Sequence, residues 1–326
     1  GWTAARDGWM KLHRFLGLVG ALLLALTPPV PAWADTDPEA AVVEELVVSG
    51  PGGGPAWWRV TKGDHVVWVM GVPGGLPRGQ AWDKGLLRER LEGANVLILA
   101  AMATASLRDV PGFMGLLRGL KAPVDLEPGL PPALRTRFVA ARTALRQKPE
   151  HYARLNAFGV ALTLLADYGR TLRFDGAQPI SAITTAARRN RVRGQRAASY
   201  AAVPLFRAVE RGLTPAIGMA CLEDALTEVE AGAGRARTAA AGWARGDVRV
   251  ALTAERGFDK CLSLLPGIPD RTRQDMTAEA NAIAAALAKP GHAVAVIPLR
   301  RLVARGGVLD QLRAKGYEVR TPASAN

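Results

Sequence analysis

The chain has 326 residues, 49% hydrophobic and 22% charged, a balance that excludes a disordered or fibrous protein and suits one large domain or two small ones. Lysine and arginine total 42 against 29 acids, a formal charge of +13. In a cytosolic protein that excess would point to nucleic acid. In an exported one it points to anionic polysaccharide, lipid headgroups or peptidoglycan, or simply to a solvated basic surface.

Residues 10–34 read MKLHRFLGLVGALLLALTPPVPAWA. Lys11 and Arg14 form a short basic start, and Phe15 to Leu26 is an apolar run. After a proline-rich break comes Ala32-Trp33-Ala34. That is the order of a secretory signal peptide with a small-x-small cleavage site. The run is too short to cross a hydrocarbon layer of about 30 Å as a helix. A cleaved signal at residues 1–34, a mature start near Asp35 and a periplasmic or secreted protein are expected; the competing reading is an uncleaved anchor or a buried helix. Gly1 to Trp9 precede Met10, the expected start of translation. No later stretch resembles a transmembrane helix, and no nucleic-acid partner is expected.

Asp35 to Pro55 reads as a flexible tether, with an acidic start, a β-prone VVEELVV and then PGGGP. A single domain is expected over residues 56–326. Trp57 to Val60 and His65 to Met70 are β-rich runs joined by Lys62-Gly63-Asp64, a hairpin signal. A glycine- and proline-rich loop, Gly71 to Gly79, follows. Asp83 to Gly93 reads as a short helix, and Val96 to Leu99 as a strand buried on both faces.

From Met102 to Leu265 the pattern is mostly helical, with Pro132 to Gln147 and Tyr152 to Leu172 the longest candidates. Asp270 is the expected N-cap of a helix whose buried stripe is Met276, Ala280, Ile283 and Leu287. His292 to Ile297 is another buried strand, and a helix from Gly307 stops at Lys315-Gly316 before a last strand, Tyr317 to Val319. Strands alternating with helices around a long helical stretch predict an α/β domain with a mixed central sheet and a large helical insertion. Two cysteines, Cys221 and Cys261, read as a disulfide in an oxidising compartment; the alternative is two separate buried thiols.

Four segments, in order, resemble the TraB/GumN family, which includes pheromone-shutdown proteins and the Tiki metalloproteases. GPAWWRVTKGDHVVWVMG looks like its opening hairpin, and AWDKGLLRERLEGANVLIL like its next helix and strand. GWARGDVRVAL resembles its aromatic-x-x-Gly-Asp helix signature, and HAVAVIPLRRLVARGGVLDQLRAKGYEV its closing strand, loop, helix and strand. The resemblance implies a metal-dependent hydrolase built on two Gly-x-x-His motifs at strand ends and a glutamate ending a third strand. Imidazole and carboxylate hold a metal whose bound water becomes the nucleophile.

This chain departs from that pattern at each position. The first motif reads Gly71-Val72-Pro73-Gly74, with glycine for histidine. The glutamate position is Ala100, and the second motif reads Pro298-Leu299-Arg300-Arg301. Arginine is always protonated and cannot ligate a cation. His65 and His292 lie at the far edge of the sheet, expected to face solvent, and two ligands are too few for zinc. Neither metal, cofactor nor catalytic residue is therefore expected. The cleft at Gly71, Gly74, Ala100, Pro298, Arg300 and Arg301 becomes a candidate ligand site. With no acid at position 100, a buried Arg301 must reach water, an internal acid or an anionic ligand such as an acidic polysaccharide or an envelope partner; the last is the expectation, and an arginine turned outward on a loop is the alternative. The alternative is a hydrolase of the Tiki type with non-standard ligands. The arginines of Arg188 to Arg196 could also bind polyanions or only form a solvated connection.

Overall fold

The computed structural model describes residues 37–50 and 52–322; the expected signal peptide, its cleavage site and His13 lie outside them. The strands are β1 Trp57–Lys62, β2 His65–Val72, β3 Leu76–Pro77, β4 Leu97–Leu99, β5 Met102–Thr104, β6 Phe174–Asp175, β7 Gly194–Arg196, β8 Ser199–Ala201, β9 His292–Pro298 and β10 Glu318–Arg320. Six form the central sheet, in the order β10-β1-β2-β9-β4-β7. β1 runs antiparallel to β10 and β2, whereas β2, β9, β4 and β7 are mutually parallel. The sheet is mixed and the chain is α/β with a large helical insertion, as its pattern of runs predicts.

The central strands are apolar because both faces are covered: Val67, Val69, Met70 and Val294 to Ile297 have no exposed surface. Gly63 supplies the positive φ of 57° in the two-residue turn that sets Lys62 opposite His65. The Ile268–Leu287 helix packs along β2, β4 and β9, with the Val308–Ala314 helix beside it. Its predicted stripe, Met276, Ala280, Ile283 and Leu287, is buried as the spacing requires. Asp270 does not cap it. The helix begins at Ile268 behind Gly267, whose φ of 85° turns the chain, and Asp270 lies in the first turn. The Gly85–Leu91 helix is pinned to the sheet by Arg90, whose guanidinium lies 4.5 Å from the Trp57 ring and 4.0 Å from that of Trp68.

A second core fills the helical insertion, around Phe138, Phe158, Leu164, Leu222 and Leu226. It contains the Cys221–Cys261 disulfide, which ties the long Pro215–Ala244 helix to the Gly257–Ser263 helix. The long helix changes direction at Gly232, where φ is 82°.

The stretch read as a flexible tether is instead docked on the domain. Leu46 is fully buried and its carbonyl accepts from Trp58 Nε1 at 3.2 Å. Val42 bridges Ala304, and Asp37 and Glu39 form ion pairs with Arg256 and Arg301. VVEELVV carries enough apolar surface to join the core, which outweighs the entropy cost of ordering a short segment.

Candidate cleft at the strand ends

β2 and β9 are parallel and in register, Val72 opposite Pro298, so the segments that follow them leave from the same edge of the sheet. Crevices of α/β sheets form at such carboxyl ends. A cavity of about 460 Å³ opens there, walled by both segments and by the helical insertion. Its lining combines apolar groups such as Leu172, Phe174, Trp243 and Phe258 with Glu39, Glu228, Asp259, Arg256, Arg300 and Arg301.

Four of the six residues singled out in the sequence, Gly74, Pro298, Arg300 and Arg301, line this cavity. A side chain at Gly74 would meet nothing within 4 Å, so glycine there leaves room where the family pattern has histidine. Gly71 lies beneath the floor: its carbonyl accepts from Trp243 Nε1 at 2.8 Å, and an added Cβ would stand 2.5 Å from Leu299 Cδ1. That bond gives Trp243, the aromatic of the GWARGD segment, its structural role. Gly246 turns the chain at φ 84°, and Asp247 caps the next helical turn by accepting from Val250 N. Ala100 does not line the cavity, and its carbonyl accepts from Arg196 Nη1 at 3.3 Å.

Arg301 does not wait for an anionic ligand. Its Nη1 donates to Glu279 Oε1 at 2.9 Å, its Nε is 3.3 Å from Glu39 and its Nη2 is 3.6 Å from Asp275. Of the outcomes open to it, Arg301 takes the internal acid: position 100 supplies none, but three others surround the guanidinium. Two come from a helix read only for its apolar stripe. Asp275 and Glu279 are four apart, each one residue before a stripe position, and both are buried. Like charges at that spacing repel, and a cation between them removes the repulsion. The third comes from the segment read as a tether.

Glu279 also accepts from Ala101 N at 3.1 Å, while its other oxygen finds no donor among the described residues. Burial raises its pKa to about 7 against the opposing charge of Arg301. Glu228, which accepts from Gly257 N at 2.8 Å, is likewise raised to about 7 by burial. Burial and then Asp259 raise Glu39. Asp259 stands exposed on the cavity wall, and desolvation by the surrounding protein raises it too, opposed by Arg256.

The four arginines at the cavity differ, and Arg235 pairs with Glu255 at 3.1 Å. Arg256 is held by Asp37 at 2.8 Å and by Glu39 at 3.3 Å. Arg300 donates to two carbonyls instead, those of Leu252 at 2.8 Å and Glu39 at 3.4 Å, and takes part in no ion pair among the described residues. Burial and the neighbouring Arg256 charge push its pKa down.

The donor set does not suit the metal that the resemblance implies. Gly74 and Ala100 supply no ligand, and the nearby acids converge on a guanidinium instead. The described histidines are engaged elsewhere. His65 Nδ1 is 2.7 Å from Leu287 O, His292 Nε2 is 2.9 Å from Arg90 O, and His151 Nε2 is 3.0 Å from Asp167. His65 and His292 are half-buried and bonded, not turned to solvent.

A mixed sheet with a charged cleft at the carboxyl ends of its parallel strands defines an α/β domain with a crevice at the strand ends. Within that class, the model of the TraB/PrgY/gumN family matches residues 56–321, and the chain belongs to that family. No curated protein and no solved structure matches it. The segment that brings Asp37 and Glu39 to the cleft lies outside the matched residues.

Proposed function

We propose that this is an exported cell-envelope member of its family in which the cleft binds a ligand and no longer performs metal-dependent hydrolysis. The observation that carries the reading is Arg301. A fixed positive charge with planar donors stands at the second motif's histidine position and holds together Glu39, Asp275 and Glu279. Export is supported by the signal-like segment at residues 10–34 and by the cystine, a bond that persists in oxidising compartments. No described helix is long and apolar enough to cross a membrane.

The ligand has an apolar body that fits the Leu172, Phe174 and Phe258 wall and an anionic group that meets Arg300, the arginine without an acid partner. An acidic polysaccharide or a peptide ending in a carboxylate has that chemistry. Elemental analysis of the purified native protein, with hydrolysis assays before and after chelation, tests the reading. It expects no stoichiometric transition metal and no chelator-sensitive activity. One tightly bound metal per chain, with activity lost on chelation and restored by that metal, would establish the alternative of a Tiki-type hydrolase with non-standard ligands.

A further inference from the structure

Ten large hydrophobic side chains are exposed among the described residues, and seven of them fall between Met102 and Val124. Phe174 and Phe258 line the cavity, which leaves only Leu86 elsewhere. The centre of the stretch is the Val110–Gly119 helix, which buries no residue. Every other described helix of ten or more residues buries at least one. Val110, Phe113, Met114 and Leu117 recur at helical spacing and share one face, and Leu107, 91% exposed, immediately precedes the helix.

The opposite side of this helix is held. It packs on the Val203–Gly212 helix through Gly112 against Val203 and Gly115 against Glu210; Phe113, at the flank of the open face, touches the Phe206 ring at 6.0 Å and remains 46% exposed. One face is anchored and the other is left apolar and open. A contiguous exposed apolar surface of this kind marks an interaction site.

The surrounding charge selects the partner. Arg108, Arg118 and Lys121 are exposed around the apolar face. The single acid of the stretch, Asp109, is half-buried and accepts from Ser106 N. Arg207 and Arg211 add to the positive side on the neighbouring helix against Glu210. A second copy would bring the same basic rim against itself, in a chain of net charge +13, and like charges oppose that contact. A surface that is apolar within and anionic at its boundary matches both features.

We propose that this face docks on an anionic lipid surface, with Leu107, Phe113, Met114 and Leu117 entering the boundary between headgroups and acyl chains and the basic rim meeting lipid phosphates. The docking is peripheral; nothing in this stretch crosses the bilayer.

Both natural cysteines are in the disulfide, so a Leu107→Cys chain carries a single reactive thiol for a polarity-sensitive fluorophore. The full chain is mixed with phosphatidylcholine vesicles, with and without phosphatidylglycerol. The probe should shift to the blue on phosphatidylglycerol vesicles, and the shift should fade with added salt. Adding Phe113→Ser and Met114→Ser should weaken that response by about tenfold with an unchanged circular dichroism spectrum. Because the probe reports locally, lipid binding elsewhere, the apolar run 15–26 included, does not count as support. Emission that stays water-like while the chain sediments with vesicles would overturn the proposal. So would an unchanged response in the serine variant. A blue shift without lipid that grows with protein concentration would assign the face to a second copy instead.

Discussion

Arg301 brings a desolvated charge into contact with three acids, and its worth is best measured by removal. Deleting one member of a buried ionic group leaves the others uncompensated, a loss of roughly 3–5 kcal/mol. Arg301→Met should therefore lower folding stability by that order, and adding Glu279→Met should recover part of it, both read by denaturant titration. Additive losses in the double variant would show that the two side chains are not coupled. Glu228 makes a different, pH-dependent contribution. Its folded pKa is raised from 4.5 to about 7, so the fold keeps it protonated where the unfolded chain ionises. That contribution is complete below pH 4.5 and is lost as pH rises through about 7. Glu228→Gln stays neutral and can still accept from Gly257 N. It should match the wild type at pH 4 and exceed it by roughly 1–3 kcal/mol at pH 8. Identical denaturation midpoints at pH 8 would show that the carboxyl is not strained by burial.

The segment from Asp37 to Gly50 illustrates how elements gain meaning from their neighbours. Its β-prone VVEELVV forms a short 3-10 turn at Glu44–Leu46, and its role lies in residues far along the chain: Trp58, Arg256, Arg301 and Ala304. Leu46→Ala should cost about 2–5 kcal/mol, the penalty for truncating a fully buried leucine. A loss near zero, with unchanged proteolysis of the N-terminal segment, would restore the tether reading. The sheet, by contrast, was legible because its signal is local. Continuous apolar runs marked β4 and β9, a Gly-Asp turn marked the β1–β2 hairpin, and a four-residue stripe marked the Ile268–Leu287 helix. Helix ends were less legible, since Gly267 and not Asp270 begins that helix. The site was half legible. The motif positions Gly74, Pro298, Arg300 and Arg301 can be read as departures from a pattern, and they do line one cavity. Their partners could not be read from the motif, because Glu39, Asp275 and Glu279 come from elements outside it. The one available signal was the pair Asp275 and Glu279, acids four apart bordering an apolar stripe and so directed inward.

At the scale of the whole molecule, the turn after β9, the Ile268–Leu287 helix and the N-terminal segment converge on one balance of charge at the sheet's carboxyl edge. The acids stay there because a guanidinium holds them, and this makes the loss of the family's histidine pattern reversible in principle. Arg301→His would take the fixed cation from Glu39, Asp275 and Glu279 and put an imidazole in its place. Gly74→His has open space for a side chain, since nothing stands within 4 Å of a Cβ there. Ala100→Glu would return the carboxylate at the end of β4, next to Ala101 N, which now donates to Glu279. The triple variant would then hold two imidazoles, one new carboxylate and three acids that have lost their arginine, a set that suits a divalent cation. It should bind about one zinc per chain by calorimetry and gain thermal stability from zinc, as any ligand specific to the folded state confers. Arg301→His alone supplies one imidazole and should bind far more weakly. If the triple variant folds by circular dichroism yet takes up no zinc, the three positions do not surround a common point. The cleft would then not be a converted metal site, whatever ligand it binds.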